Sequence, residues 1–294
     1  MAIPVAHLWS GASRPRVAAI ALMALAASGC SINLGSLTPS SSSTPEPAKL
    51  TSSTNIASLT ETIKSHPDDP QAYNMRGSVL AQAGKTEEAL ADFNKAISLD
   101  ANYGQAYANR GLIYRQTRRL DQAMADYERA ISLDANYAPA YLGRGMVYKA
   151  RKQPDEALAD FNKAISLAPD NAEAYYNRGL LYQAEKQHQY AIDDFTAANG
   201  LVPQQGEPLL ARALSYLATD RPKEAAADLD EAVQADPQNP QAWLTRGLAY
   251  ERLGDKMKAA GSYGRAINLR PKDETARTGF ARVGGKVGQT YDTF

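Results

Sequence analysis

The chain repeats one pattern every 34 residues, six times in succession, from Pro70 to Asp273. We number the positions of each repeat from 1, which is Pro70 in the first. Position 7 is arginine and position 20 is alanine in all six repeats, and no insertion or deletion shifts the register. A fixed period of this length indicates a solenoid, in which each repeat buries apolar surface only against its neighbours. The six repeats are 70–103, 104–137, 138–171, 172–205, 206–239 and 240–273.

Each repeat has the apolar spacing of two short amphipathic helices. In the first repeat, Leu80 belongs to the first helix, while Leu90, Phe93 and Ile97 belong to the second. All ten prolines of the repeats fall at positions 1, 2, 3, 17 or 32, which are first turns or exits of these helices. Glycine or alanine at position 8, opposite alanine at position 20, lets the two helices approach closely. The sequence therefore predicts an all-α fold.

The same positions resemble the tetratricopeptide repeat family, which has a large residue at position 4, glycine or alanine at 8, tyrosine at 11, alanine at 20 and proline at 32. Tyrosine occupies position 11 in five repeats, and proline occupies position 32 in four. The resemblance implies a right-handed α-solenoid of six helix pairs, whose first helices line a concave groove. We expect residues 55–69 to form an N-terminal half-repeat cap, and residues 274–294 to form a C-terminal capping helix with a loose tail.

Arginine at position 7 lies on a partly buried helix face, and aspartate at position 23 of the same repeat is its expected partner. A half-buried guanidinium and carboxylate can form a bidentate pair, whereas either one alone carries a heavy desolvation cost. An alternative role for the arginines is to bind phosphates or acidic peptides, but the aspartates neutralise the row. The predicted pairs are Arg76 with Asp92, Arg110 with Asp126, Arg144 with Asp160, Arg178 with Asp194, and Arg212 with Asp228.

The sixth repeat departs from this pairing, because Ser262 stands at position 23. We therefore expect Arg246 to tolerate substitution best among the six arginines. By the same reasoning, Asp160→Ala should lower stability by more than a surface change does.

Positions 5 and 9 lie one helical turn apart, on the face that the family exposes to its groove. They are Asn74 and Ser78 in the first repeat, and both are apolar in each of the last four. Structural packing alone explains some of the residues at position 9. A continuous apolar stripe at position 5 is typical of a partner site, so we expect an amphipathic helix or extended apolar segment to bind there. The predicted groove residues are Leu112, Leu142, Met146, Tyr176, Leu180, Leu210, Leu214, Leu244 and Leu248.

Residues 1–29 have the pattern of a secretory signal peptide. Arg14 and Arg16 precede an apolar run that is too short to span a bilayer, which needs about 20 residues. The residues from Ala27 to Cys30 resemble the bacterial lipoprotein box, which implies cleavage before Cys30 and acylation of that cysteine. The alternative is an ordinary secretory signal followed by a chance cysteine.

The segment 30–54 is rich in serine, threonine and proline, so we expect a disordered tether. Ser31, rather than aspartate, follows the cysteine, which resembles sorting to an outer membrane. We expect a lipid-anchored protein of the bacterial cell envelope, held at the outer membrane and facing the periplasm.

No motif in the sequence is typical of an enzyme. The three histidines lack metal-ligand neighbours at helical or loop spacing, and the chain has no phosphate-binding loop or nucleophile elbow. The 32 basic and 32 acidic side chains form no basic stripe, which disfavours nucleic acid as a partner. We expect no metal, no cofactor and no small-molecule substrate.

An anchor followed by repeats resembles the bacterial tetratricopeptide lipoproteins that scaffold peptidoglycan hydrolases and envelope proteases. The resemblance implies a non-catalytic adaptor that binds protein segments in its groove. A pilotin-like assembly factor for a pilus or secretion secretin is the alternative. An enzyme, the third class, would require turnover by the purified chain.

Overall fold

The computed structural model describes residues 47–203, 205–286, 288–289 and 291. Cys30, the signal segment and residues 30–46 of the predicted tether lie outside the described residues. The described residues form fourteen α-helices and contain no β-strand, which confirms the predicted all-α repeat fold. None of these helices is long and apolar enough to cross a bilayer.

Each 34-residue repeat contributes two antiparallel helices. The helix bounds are α1 Pro47–Ser65, α2 Pro70–Gln82, α3 Thr86–Leu99, α4 Gly104–Gln116, α5 Leu120–Leu133, α6 Ala138–Ala150, α7 Pro154–Leu167, α8 Ala172–Ala184, α9 His188–Leu201, α10 Gly206–Ala218, α11 Pro222–Ala235, α12 Pro240–Arg252, α13 Lys256–Leu269 and α14 Glu274–Arg282. Even-numbered helices α2 to α12 are the first helices of the repeats. Each contacts its own second helix and the helix that precedes it in the chain.

The turn between the two helices is the same in every repeat. Position 15 has a positive φ angle in every repeat. It is glycine in the first and last repeats, Gly84 and Gly254, and a residue with a side chain in the other four; Lys152, for example, has a φ of 59°. The next amide donates back to the carbonyl five residues earlier; Gln153 N, for example, donates to Tyr148 O at 3.0 Å. This is the Schellman arrangement, which ends the first helix and reverses the chain.

Small and large residues alternate at the centre of each helix pair. The alanines at position 20 are fully buried, and so are the large residues at position 24, such as Phe93. A Cβ atom placed on Gly77 would lie 2.8 Å from Phe93 Cε1, which is closer than real Cβ contacts allow. Glycine at position 8 therefore sets the close approach of the first helix to the ring on the second.

Both ends of the array differ from the sequence prediction. Helix α1 begins at Pro47, so residues 47–54 of the predicted tether are helical and the cap is longer than 55–69. Proline is tolerated in a first helical turn, and serine and threonine only weakly oppose a helix, so composition concealed this extension. At the other end, the ring of Tyr291 packs edge-on against Phe280 of α14 at 5.7 Å, so the described part of the tail is attached rather than loose.

Candidate binding groove

One face of the first helices carries positions 5, 9 and 12. These positions recur at spacings of four and three residues, so their side chains lie above one another on a helix. Most neighbouring first helices contact each other directly, as α2 does with α4, α4 with α6, α8 with α10 and α10 with α12. The repeats therefore bring these positions together on one face of the array.

Burial varies along this surface. Leu112 and Leu214 are 37% and 38% exposed, whereas Leu142 is 8% exposed. Leu142 belongs to a core cluster around Phe161, so it contributes much less open surface than Leu112. The other predicted groove residues are half-buried, and they are Met146, Tyr176, Leu180, Leu210, Leu244 and Leu248.

Three cavities are lined by predicted groove residues. The first, of 180 Å³, is lined by Leu112, Leu142 and Met146. The second, of 730 Å³, is lined by Met146 and Tyr176 together with carboxylates. The third, of 480 Å³, lies beside the last repeat and includes Leu214, Leu244 and Leu248.

Leu180 and Leu210 line none of these three cavities. Leu180 packs against the core cluster of Phe195, and Leu210 contacts two core clusters. Packing explains these two residues, and the remaining seven predicted groove residues line cavities.

The start of the groove is polar and internally hydrogen-bonded. Asn109 Nδ2 donates to Asn74 Oδ1 at 2.9 Å, and Asn74 Nδ2 donates to the Tyr103 hydroxyl at 3.2 Å. Asn74 is only 6% exposed. Burial raises the pKa of Tyr103, so its hydroxyl remains protonated at neutral pH. These groups stabilise one another, and Asn74 also lines a cavity of 510 Å³ together with Leu59 and Val79.

The opposite side of the first helices carries the arginines of position 7. All five predicted pairs are in bidentate contact. In the third repeat, Arg144 Nε donates to Asp160 Oδ2 and Arg144 Nη2 donates to Asp160 Oδ1, both at 2.8 Å. The side chains are mostly buried, 21% exposed for Arg144 and 7% for Asp160. Hydrogen bonding to the aspartate is the main cause that raises the pKa of Arg144. The rings of Tyr141 and Tyr148 lie 5.6 and 5.9 Å from the guanidinium carbon.

The arginines also reach the preceding repeat, which the sequence analysis missed. Arg110 Nη1 donates to Asn94 Oδ1 at 2.7 Å, and Asn94 stands at position 25 of the first repeat. Arg178 makes the same contact with Asn162 at 2.6 Å. Each such arginine therefore joins two repeats. The signal in the sequence was a polar residue at position 25 in every repeat from the first to the fifth.

Arg246 is not the loosely held residue expected from Ser262. It is 2% exposed, and its Nε donates at 2.7 Å to Asp230, at position 25 of the preceding repeat. Its Nη1 donates to Ser262 Oγ at 2.8 Å. The carboxylate partner has moved from position 23 of the same repeat to position 25 of the previous one. The premise that Arg246 lacks an acidic partner is therefore wrong.

The histidines of the described residues are His66, which is exposed, and His188, which is half-buried. Within the described ranges, no group of three or more His, Cys, Asp or Glu side chains is arranged to hold a metal ion. Along the groove, the described residues provide apolar cavities, polar hydrogen-bonding groups and a few charged side chains.

Four family models match the repeat region. A model described as the TPR repeat matches residues 77–117 and 145–185. Three models described as the tetratricopeptide repeat match residues 104–137, 172–204 and 210–274. Each model describes a repeat rather than an enzymatic domain. A comparison with curated protein sequences finds no match.

Solved structures share the fold. Pseudomonas aeruginosa pilF has a TM-score of 0.67 and 22% identity, over 72% of this chain and 97% of that one. PilW, a type IV pilus biogenesis factor, has a TM-score of 0.63 and 18% identity, over 71% of this chain and 97% of that one. A chain of the APC/C hetero-tetramer Cut9-Hcn1 has a TM-score of 0.67 and 17% identity, over 79% of this chain but only 46% of that one. This chain thus spans about half the length of the Cut9-Hcn1 chain.

Proposed function

Because the chain belongs to the tetratricopeptide repeat family, we propose that it is a non-catalytic adaptor that binds polypeptide segments of other proteins in the groove of its first helices. The family fold is suited to protein–protein interaction. The observation that carries the proposal is the apolar surface of the groove, with Leu112 and Leu214 more than one-third exposed and seven predicted groove residues lining cavities.

The cavity beside the last repeat supports an apolar ligand segment. Its lining combines Leu214, Leu244 and Leu248 with Thr275 and Thr278 of α14. An apolar centre with a polar rim is the usual composition of a peptide-binding groove. An amphipathic helix or an extended segment that presents aliphatic side chains fits this chemistry.

We further propose that Cys30 carries a lipid that holds the array at a bacterial outer membrane, where it organises peptidoglycan or protease machinery in the periplasm. The support is the sequence around Cys30 and the short apolar run before it. Metabolic labelling with an alkyne fatty acid should mark the wild-type protein and leave Cys30→Ala unlabelled and released from membranes. Equal labelling of both proteins would exclude this anchor.

Crosslinked capture from membranes tests the groove. Leu112→Glu combined with Leu214→Glu places two charges on the most exposed groove positions, where disturbance of the core is smallest. Met257→Glu is the matched control, because Met257 is 58% exposed on the second helix of the last repeat. We expect the double variant to lose the captured proteins while the control retains them. Unchanged capture by a folded double variant would remove the groove proposal.

A pilotin-like assembly factor is the alternative function. It is favoured by the likeness to pilF and PilW, whose chains are covered almost completely by this fold. The same capture separates the two functions. Secretin subunits among the captured proteins favour the assembly factor, whereas hydrolases, synthases or proteases favour the envelope adaptor.

A further inference from the structure

The two edges of the array differ in charge. Because the helices alternate in direction, the turns within repeats lie on one edge and the junctions between repeats lie on the other. The first six junctions are residues 66–72, 99–106, 133–140, 167–174, 201–208 and 235–242. They contain no lysine or arginine, and their acidic residues are Asp68, Asp69, Asp100, Asp134, Asp170, Glu173, Glu207 and Asp236. An anionic surface is therefore repelled by the junction edge and approaches the turn edge more favourably.

The turn of the sixth repeat is the most basic of the six turns. Positions 13 to 19 of that repeat are residues 252–258, which hold three cations and one acid. The corresponding segments of the other five repeats have net charges between −1 and +1. The three cations are Arg252, Lys256 and Lys258, and none of them belongs to a salt bridge of the described residues. Positive charge is thus concentrated at this turn.

The same turn exposes two large apolar side chains. Leu253 is 36% exposed and Met257 is 58% exposed. They occupy positions 14 and 18, where no other repeat has a large apolar residue. None of the cavities described above is lined by residues 252–258. The turn therefore projects its own side chains outward instead of enclosing a ligand group.

The backbone of this turn is held by hydrogen bonds. Gly254 has a φ of 78°, and the amide of Asp255 donates to Tyr250 O at 3.0 Å. The Asp255 carboxylate is then the N-cap of α13, where it accepts from the Lys258 amide at 3.0 Å. Because the turn is already ordered, the apolar side chains can be inserted into a partner without the entropy cost of ordering a loop.

We propose that residues 252–258 contact the surface of a bilayer that contains anionic phospholipids. Leu253 and Met257 enter the boundary between headgroups and acyl chains, and the ammonium group of Lys256 lies among the phosphates. Exposed apolar side chains surrounded by cations are typical of segments that bind at a membrane interface. The turn has no cavity that could select a side chain of an acidic protein, which favours a lipid surface as the partner.

This contact goes beyond the groove function and does not depend on it. Each cation beside an anionic surface strengthens binding by about fivefold, and salt screens this attraction. Three cations and two apolar side chains therefore give weak and reversible binding, which orients an array that another anchor holds. Washing membranes at raised salt removes the contact, so release of Cys30→Ala remains the expected result of the anchor test.

A single fluorescent label tests the contact on the full chain. Cys30 is the only cysteine of the sequence, so Cys30→Ala combined with Met257→Cys carries one label at the turn. Cys30→Ala combined with Gln238→Cys is the control, because Gln238 is exposed on the junction edge. The label is nitrobenzoxadiazole, whose emission shifts to the blue in apolar surroundings. The probes are vesicles of phosphatidylcholine alone and vesicles that also contain phosphatidylglycerol.

We expect a blue shift only for the label at position 257, only with phosphatidylglycerol, and not at high salt. Adding Lys256→Glu should weaken binding to these vesicles by about tenfold or more, because it changes the charge by two units. Lys95→Glu makes the same reversal on an exposed residue of α3 and should change binding by less than about twofold. Circular dichroism checks that every variant is folded.

Other results overturn the inference and leave the groove proposal in place. No shift at position 257 with phosphatidylglycerol rejects the bilayer contact. Equal shifts at positions 257 and 238 show adsorption without orientation and reject the assignment to this turn. Equal effects of Lys256→Glu and Lys95→Glu reject the role of its cations. Loss of captured proteins by Met257→Glu in the crosslinked capture would identify a protein at this turn and reject the lipid assignment.

Discussion

Replacing Asp230 with alanine should be the most destabilising loss of an acidic partner in the array. Asp230 is the carboxylate that faces Arg246, and it also accepts the Tyr250 hydroxyl at 2.7 Å. Without it, a guanidinium that is 2% exposed keeps only Ser262 and its neighbouring rings. Removing one partner of a buried ion pair costs about 3–5 kcal/mol. Asp230 is itself 37% exposed, so water can replace part of the contact, and we expect about 3 kcal/mol.

Two comparisons give this value a scale. Asp160→Ala removes the partner of Arg144, which is 21% exposed and can be hydrated, so we expect about 1.5–3 kcal/mol. Glu231→Ala changes an exposed neighbour of Asp230 and should stay within about 0.5 kcal/mol. For a chain of this size, about 3 kcal/mol corresponds to roughly 6–12 °C in Tm. Thermal and urea unfolding monitored by circular dichroism measure all three variants.

The location of the loss is a second readout. Asp230 lies on α11 and Arg246 on α12, so the pair joins the fifth and sixth repeats. In a solenoid, stability depends on such nearest-neighbour terms. We expect Asp230→Ala to increase hydrogen exchange most in residues 240–282.

A double-mutant cycle tests the physical cause. In an Arg246→Met background the buried charge is absent, so adding Asp230→Ala should cost much less than it does in the wild type. If Asp230→Ala shifts Tm no more than Glu231→Ala, or costs as much in the Arg246→Met background, the ion-pair reasoning is refuted.

Three further predictions follow from single positions. Gly143→Ala should lower the free energy of unfolding by about 1–3 kcal/mol, because the new Cβ atom would overlap Tyr127. Gly200→Ala should raise it by about 0.5 kcal/mol, because Gly200 is helical and open space surrounds its Cβ position. Urea unfolding measures both variants. Lys152→Gly should raise stability by up to about 1 kcal/mol, because Lys152 has a positive φ angle; a lower Tm would contradict this. Lys149→Gln should be more stable than the wild type at neutral pH. Because burial lowers the pKa of Lys149 in the folded chain, the free energy of unfolding of the wild type rises with pH between that lowered pKa and the ordinary lysine pKa of about 10.4. The difference in stability between the two proteins should therefore narrow over this pH range.

The helix pairs and the bidentate arginine–aspartate pairs could be predicted because the residues that form them recur at fixed positions of a 34-residue period. The links between repeats were harder to see. Arg110 contacts Asp126, 16 residues after it, and Asn94, 16 residues before it, so two partners satisfy the same spacing. The aspartate at position 23 therefore accounts for only one of these contacts. It does not reveal the partner at position 25 of the preceding repeat, which is the acidic partner of Arg246. The helical residues 47–54 were missed because serine and threonine permit both a tether and a helix.

The contacts of the cations at position 12 could not be predicted from the repeat pattern, because Lys149 donates to Asn177, 28 residues later in the chain. A helical sequence shows which side chains share a face, but the partner of each side chain is a property of the folded chain. The same limit applies to Leu142, whose burial depends on packing against Phe161 of the facing helix.

The contacts that stabilise the array and the proposed groove lie on different faces of the same helices. Position 7 is about 200° around the helix from position 5, whereas positions 9 and 12 lie within about 40° of it. The arginines of position 7 join the two helices of their own repeat, as Arg110 does with Asp126. Four of them, Arg110, Arg178, Arg212 and Arg246, also donate to position 25 of the preceding repeat. Because these contacts stabilise the array from the other side, position 12 can change from Arg115 and Lys149 to Gln183 and Leu217 without altering them.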